Sequence, residues 1–378
     1  MLLCKRVYFV ADMYLWKLLP RIQEDKMRLS KKKILVFSRM HITNFGDPII
    51  ADCCKYIIKK TAKENRYRVK VTMADVYEKD IAVTKKLLKG QKAVVFPGGG
   101  LNSVVFNNKL LEILKLIEEQ KNTSVFFNAV GILKVKPRKK NEELLIKLFN
   151  HNQVKQVTTR GDYDQLLKYI QSPRVYPEKL VFDPAIWVNE AYEIEHSIDS
   201  EKIGIGVIRP EIFQSNGNDF SAEDVFQMYF NIVNELEAKG FAWEFFSNGM
   251  KEDYNFGVET LKRMGRSTKK YIGKNVKSSR ELVEKIASYK AVIAARLHAN
   301  IISTSLRVPS VALVWNDKMN LFAEIIGEEE RYIGVEHLKD ADYIVHQLEL
   351  AIKNGYDEKK IDCMKNVTVE TIKNIIIS

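Results

Sequence analysis

Residues 93–102 read Ala-Val-Val-Phe-Pro-Gly-Gly-Gly-Leu-Asn. A short apolar run meets a proline and three glycines, which is the form of a strand buried on both faces and stopped by a tight turn. The same form recurs on either side, at 34–38 (ILVFS), 69–73 (VKVTM), 124–130 (SVFFNAV) and 154–158 (VKQVT). The intervals 49–62, 79–89, 107–120, 141–150 and 162–170 have the length and spacing of helices. Brief β-branched runs separated by helical lengths predict a parallel sheet, and Asp183-Pro184 ends it.

The pattern restarts after 190–201 (EAYEIEHSIDSE), a polar and acidic stretch with the character of a linker. New strands are expected at 203–208, 243–246, 291–295 and 310–315, with helices at 221–239, 252–265, 279–289, 299–306 and 318–326. The fold class is therefore α/β, with two Rossmann-like domains facing across a cleft. The expected division is an extension over 1–32, a first domain over 33–190, a second over 200–338, and C-terminal helices over 339–378 that pack back on the first domain. No internal repeat or low-complexity tract interrupts this order.

The 378 residues are 46% apolar and 29% charged, enough for two separate cores. No apolar run reaches the ~18 residues that a membrane span requires. Cys4, Cys53, Cys54 and Cys363 lack metal-site spacing, and a reducing cytoplasm is the expected compartment. Half of the net charge of +12 lies in residues 1–33, where nine Lys/Arg stand against Asp12, Glu24 and Asp25. Leu2, Phe9, Tyr14, Trp16 and Leu19 are among the apolar residues interleaved with them. Such a segment suits peripheral contact with an anionic membrane. A packed helix with a solvated basic tail, or an upstream extension before Met27, explains it equally simply. Asp12 breaks the apolar stretch that a cleavable signal would need. No nucleic-acid-binding motif accompanies the basic balance, so nucleic acid is not an expected partner.

In such sheets ligands bind beyond the carboxyl ends of the strands, where helix N-termini supply positive potential. The polar residues at those points are therefore the candidates. Asn44-Phe45-Gly46-Asp47 follows the first strand, with Asp47 at or near a helix cap. Gly98-Gly99-Gly100 follows the third, where backbone N–H groups can approach an anion or a sugar hydroxyl. Its spacing is neither the dinucleotide fingerprint nor the phosphate loop, which disfavours NAD and ATP. Asn128-Ala129-Val130-Gly131 follows the fourth, and Thr159-Arg160-Gly161-Asp162 the fifth. In the second half, Arg209 follows 203–208, Arg296-Leu297-His298 follows 291–295, and Lys318 follows 310–315. Each has a structural alternative: a cap for Asp47, an ordinary ion pair for Arg160, a satisfied core histidine for His298. Jointly, Arg, His and Lys from neighbouring strand ends suit a small, highly charged anion.

Taken in order, Asn-x-Gly-Asp at 44–47, Pro-Gly-Gly-Gly at 97–100, Arg160 with Asp162, Asp183-Pro184-Ala185, and Arg296-Leu297-His298 followed by Pro309 resemble the motifs of polysaccharide pyruvyltransferases. The resemblance runs from about residue 34 to residue 325. It implies a GT-B-like arrangement, with the first domain on the acceptor side and the second on the donor side. It implies transfer of a pyruvate ketal from phosphoenolpyruvate to a sugar of a surface or capsular polysaccharide, or its lipid-linked precursor, with release of phosphate. By the same resemblance Arg160, Arg296, Leu297, His298 and Lys318 contact phosphoenolpyruvate, and His298 and Asp47 are the catalytic pair. Gly99, Gly100 and Asn102 fall where acceptor contacts are expected. Neither a metal nor any cofactor beyond the donor substrate is expected. Two departures stand out: Gly161 is inserted between Arg160 and Asp162, and the 1–32 extension has no counterpart. A nucleotide-sugar glycosyltransferase of the same architecture is the leading alternative, and a non-catalytic glycan-binding subunit a third.

Overall fold

The computed structural model describes residues 31–40, 43–120, 122–133 and 139–378. In the first domain β1 (Lys32–Ser38), β2 (Val69–Asp75), β3 (Ala93–Pro97), β4 (Ser124–Val130), β5 (Val154–Thr159) and β6 (Lys179–Leu180) form one sheet, ordered β2-β1-β3-β4-β5-β6. In the second, β7 (Lys202–Gly206), β8 (Ala242–Phe246), β9 (Ala291–Ala294), β10 (Ser310–Leu313) and β11 (Tyr332–Ile333) are ordered β11-β10-β9-β7-β8. Every strand pair is parallel. The result is two Rossmann-like α/β domains of the GT-B type. Each sheet reverses its winding once, between β1 and β3 and between β7 and β9. These are the switch points at which open α/β sheets bind ligands.

Both faces of the strands are covered, so Val94, Val95, Phe126, Phe127, Ile205 and Ile293 are all buried. Burial of each such side chain contributes about 1.5–3 kcal/mol. One apolar cluster crosses from domain to domain. It joins Ile49 and Ile57 of the helix Gly46–Glu64 to Ile301 and Ile302 of the helix Leu297–Leu306, with Trp187 and Ile372 beside them. The domains therefore share a floor of packed side chains below the cleft. The last helix, Glu358–Ile377, lies on the first domain: Lys32 Nζ donates to Ile376 O at 2.9 Å, and Lys179 pairs with Glu370 at 2.7 Å.

The stretch between the domains differs from the sequence expectation. Asp183 caps a 3₁₀ turn, Pro184–Trp187, by accepting from Ala185 N at 2.9 Å, and the helix Val188–Tyr192 continues it. Residues 190–192, read as linker from their polarity, are thus helical, because buried Trp187, Val188 and Tyr192 anchor that segment in the shared cluster. The unstructured crossing narrows to 193–201, and Ser197 N and His196 Nε2 fasten it to Ala287 O and Tyr289 O at 2.9 and 2.8 Å. The expectations for the basic extension fall outside the described residues, apart from Lys31 and Lys32; Lys32 already belongs to β1. Cys53 and Cys54 are buried free thiols, and burial pushes the Cys54 thiol up to about 12. Among the described residues no helix is long and apolar enough to cross a membrane, and no cluster of side chains could hold a metal ion.

Candidate active site

The first-domain wall is built by the residues that follow β1 and β3. Arg39 is the residue immediately after β1. Its guanidinium lies over the Phe106 ring, 3.9 Å from the centroid, and its Nη1 is 3.4 Å from Asp47 Oδ2. Asp47 is in the first turn of the helix Gly46–Glu64, but it is not the cap. Phe45 holds that position without a side-chain cap, which leaves the Asp47 carboxylate to Arg39 and corrects the capping alternative. Gly98 and Gly99, at φ 55° and 79°, turn the chain after β3 with a left-handed conformation that β-carbons disfavour.

Arg160 leaves the end of β5 and forms an ion pair with Asp183, with Nη1 3.5 Å from His298 Nε2. His298 Nε2 is also 3.9 Å from Asp183 Oδ2. Arg160, Asp183 and His298 are 10%, 1% and 13% exposed in their side chains, so these three groups meet with little water around them. The inserted Gly161 has a physical reason. A β-carbon there would collide with the Ile132 carbonyl, whereas glycine lets Asp162 N reach that same oxygen at 3.0 Å. Asp162 then caps the helix Tyr163–Lys168 through Gln165 N. The insertion therefore keeps Arg160 at the strand end and Asp162 at the cap. His298 sits in the first turn of the helix Leu297–Leu306, its ring against Gly46, where any side chain would strike the imidazole.

Arg296 behaves differently. Its Nε and Nη2 both donate to Asp253 Oδ2, at 2.9 and 2.5 Å, while Arg209 Nη1 donates to Asp253 Oδ1 at 2.9 Å. Asp253 is fully buried, so one carboxylate holds two arginines from two strand ends. The sequence places Arg296 beside His298 in the chain, and the structure turns its guanidinium to Asp253. Leu297 lines the small pocket that holds Arg160, Asp183 and Lys318, whose volume is about 20 Å³, the size of a water.

Lys318 reaches across from the second domain to the glycine turn, its Nζ close to Gly100, which Asn102 Oδ1 also approaches. No hydrogen bond or ion pair to its ammonium occurs among the described residues. Burial, then the Arg160 charge, lowers it to about 8, with Arg39 adding to the effect and Asp47 opposing it. Burial lowers Arg160 to about 10, again opposed by Asp47. Burial, with Arg160, Lys318 and Arg296, holds His298 well below its ordinary value, so the imidazole is neutral at pH 7. The site is a desolvated cluster of excess positive charge with a neutral imidazole at its centre. Such a cluster favours an anion.

Asp47, Gly99, Gly100, Asn102, Arg160, Leu297, His298 and Lys318 thus line one cleft from its two sides. Arg39 and Asp183 belong to the same cluster; Arg39 was not singled out in the sequence, and Asp183 entered only through the Asp183-Pro184-Ala185 motif, with no site role. Arg39 carried the same signal as Arg160, a basic residue directly after a strand. Asp183 was legible as the end of the first sheet and as a motif residue, but not as a partner of Arg160 and His298. The chain belongs to the polysaccharide pyruvyl transferase family, whose model matches residues 44–317. No curated protein sequence matches significantly. Among solved structures, the chain is similar to UDP-GlcNAc 2-epimerase from Methanocaldococcus jannaschii, at 13% identity and TM-score 0.60, over 92% of this chain and 100% of that one. It is similar to the UDP complex of MnaA from S. aureus, at 11% identity and TM-score 0.55, over 92% and 98%. It is also similar to α,α-trehalose 6-phosphate synthase from Burkholderia multivorans, at 11% identity and TM-score 0.51, over 92% and 98%. At these identities the likeness is one of fold.

Proposed function

We propose that the chain transfers pyruvate from phosphoenolpyruvate onto two hydroxyls of one sugar, as a cyclic ketal, and releases phosphate. The sugar belongs to a surface or capsular polysaccharide or to its lipid-linked precursor. The observation that carries this reading is the Lys318 ammonium, without a partner among the described residues, facing the same space as Arg160 and His298. A compact donor with about three negative charges offsets the cost of burying those cations together. Membership of the family supports the reaction class. The basic segment 1–33, interleaved with apolar residues, supports work beside an anionic membrane leaflet, and the scarcity of cysteine a reducing cytoplasm; the proposal invokes neither nucleic acid nor a further cofactor.

In this reading His298 is neutral until the donor arrives. The donor's negative charges cancel the cations that depress it, and the imidazole takes up a proton on binding. It delivers that proton to the methylene carbon, which becomes the methyl group and leaves an oxocarbenium-like centre at the adjoining carbon. The first sugar hydroxyl adds there and returns a proton to His298. Phosphate departs from the same carbon, the second hydroxyl closes the ring, and its proton leaves through Asp47 to the phosphate. Arg160 and Lys318 hold the donor and then the leaving phosphate, where their charge counts most.

Calorimetry with phosphoenolpyruvate, and separately with UDP-N-acetylglucosamine, tests the proposal. Saturable binding of phosphoenolpyruvate is the expected result, accompanied at pH 7 by a proton uptake that His298→Ala loses while it keeps the binding. Binding of the nucleotide sugar alone would replace it with the glycosyltransferase alternative. Binding of neither would favour a non-catalytic subunit.

A further inference from the structure

Beyond Lys318 the cleft widens into a cavity of about 630 Å³, lined from both domains. That is within the range of roughly 300–1,000 Å³ found for sites that hold drug-sized ligands. Its wall is unusual in chemistry. Five asparagines face it, Asn102 from the first domain and Asn216, Asn218, Asn316 and Asn320 from the second, together with Trp315. Among the described residues, the charged lining groups are Asp317, Glu336 and Lys318.

The wall is also held in place. Trp315 Nε1 donates to Ala295 O at 2.5 Å, which fixes the indole. Asn218 Nδ2 donates to Trp315 O at 2.8 Å and fastens the facing loop to it. Asn316 occupies the cap position of the helix Asp317–Ile326, yet its side chain caps nothing. Its Oδ1 is buried without a hydrogen-bond partner among the described residues. A buried amide oxygen with no donor is unfavourable, and a ligand hydroxyl or N–H that supplies one relieves it.

We propose that this cavity is the acceptor site and that it takes an uncharged oligosaccharide of two or three rings. The proposal rests on the pyruvyl-transfer reading of the adjoining cluster. Neutral amides and a fixed aromatic face match hydroxyl-rich rings, because they bind both the polar rim and the apolar face of a sugar. Asp317 and Glu336 exclude anionic glycans by like-charge repulsion. The same two carboxylates argue against a nucleotide diphosphate, for which Lys318 is the sole cation among the described residues that line the cavity. Asn102 and Lys318 stand where the cavity meets the donor cluster, so the ring that receives the ketal lies against them and the remaining rings extend along Trp315. Specificity for a neutral chain is thereby a property of the second domain, and not of the glycine turn at 98–100.

Binding of the purified full-length chain to an array of neutral, N-acetylated, sialylated and uronic-acid glycans tests the assignment, with phosphoenolpyruvate binding followed separately by calorimetry. Neutral or N-acetylated glycans are expected to bind. Trp315→Ala should weaken that binding at least about tenfold, the scale for an aromatic anchor. Asn320→Trp alters an exposed residue and fills the cavity, so it should block glycans in a folded protein and leave phosphoenolpyruvate binding intact. Arg160→Ala should do the reverse. An array on which only acidic glycans bind, or none, would overturn the proposal, as would unchanged glycan binding in Asn320→Trp. Displacement of a bound glycan by UDP-N-acetylglucosamine would identify the cavity as a nucleotide site. Loss of phosphoenolpyruvate binding alone, with neutral glycans still held, would sink the donor reading and leave the acceptor site standing.

Discussion

Arg160 and Arg296 occupy equivalent places in the two halves of the molecule: each follows a buried parallel strand and precedes a helix. Arg160 meets a carboxylate that also faces His298, in the cleft between the domains. Arg296 meets Asp253, which lies within its own domain and is shared with Arg209. Strand-end position delivers an arginine to the mouth of the sheet, but the buried counter-charge decides where its guanidinium goes. A fully buried carboxylate cannot be left unpaired cheaply, so Asp253 commands two arginines before any ligand arrives.

Different variants should pull the two arginines apart. The largest effect is expected at the histidine that Arg160 touches. His298→Ala should lower kcat by about 10²–10⁴-fold, the scale of general acid–base catalysis, with calorimetric donor binding retained. Full activity in that variant would show that the Arg160 cluster is not the reaction centre. Arg160→Ala comes next: loss of a desolvated charge contact predicts about 2 kcal/mol or more, or about 30-fold in KM for phosphoenolpyruvate, with a smaller change in kcat. It should also lower the melting temperature, since Asp183 is left buried and unpaired. Arg296→Ala should cost no more than about 1 kcal/mol in donor affinity, about fivefold, if its guanidinium stays with Asp253. Equal KM effects for the two arginines would mean that Arg296 leaves Asp253 when the donor binds. Asp253→Asn, which loosens that hold, would then strengthen donor binding.

The smallest expected effect is one of pH. Lys318 in the free protein loses its proton around pH 8, and a bound anion raises that value. In His298→Ala, which lacks the imidazole that takes up a proton on binding, donor affinity should therefore be level below about pH 7 and fall as the pH rises through 8. Lys318→Met in the same background should flatten this dependence in a titration series at constant ionic strength. A profile that stays level from pH 7 to pH 9 in His298→Ala would remove Lys318 from the donor contacts.

The long strands were legible because buried parallel strands are uninterrupted apolar runs, as at 93–96 and 291–294. The two-residue edges Lys179–Leu180 and Tyr332–Ile333 were not, because so short a pairing leaves no pattern. The cleft itself could be placed from the strand ends alone. What local sequence could not convey was partnership across it. Asp183 looks like an ordinary cap before Pro184, and its Oδ1 is one. Its other oxygen, facing Arg160 and His298, belongs to an arrangement that exists only after residues more than a hundred positions apart are folded together. Gly161 shows the converse. In the sequence it looked like a slip of register, and in space it is what allows the Ile132 backbone to pass.

The chain passes between the domains at 193–201 and returns before the helix Glu358–Ile377, and the two passages run side by side. Lys365 of the returning helix pairs with Glu190, just ahead of the first passage, at 2.5 Å, and Arg307 of the second domain holds Glu358 at 2.6 Å. Two tethers at one edge act as a door hinge. Any opening of the cleft would turn about that edge, because the two tethers and the shared apolar floor resist sliding or pulling apart. In the pyruvyl-transfer reading, the two walls would then meet an entering glycan without either half losing its alignment on the other.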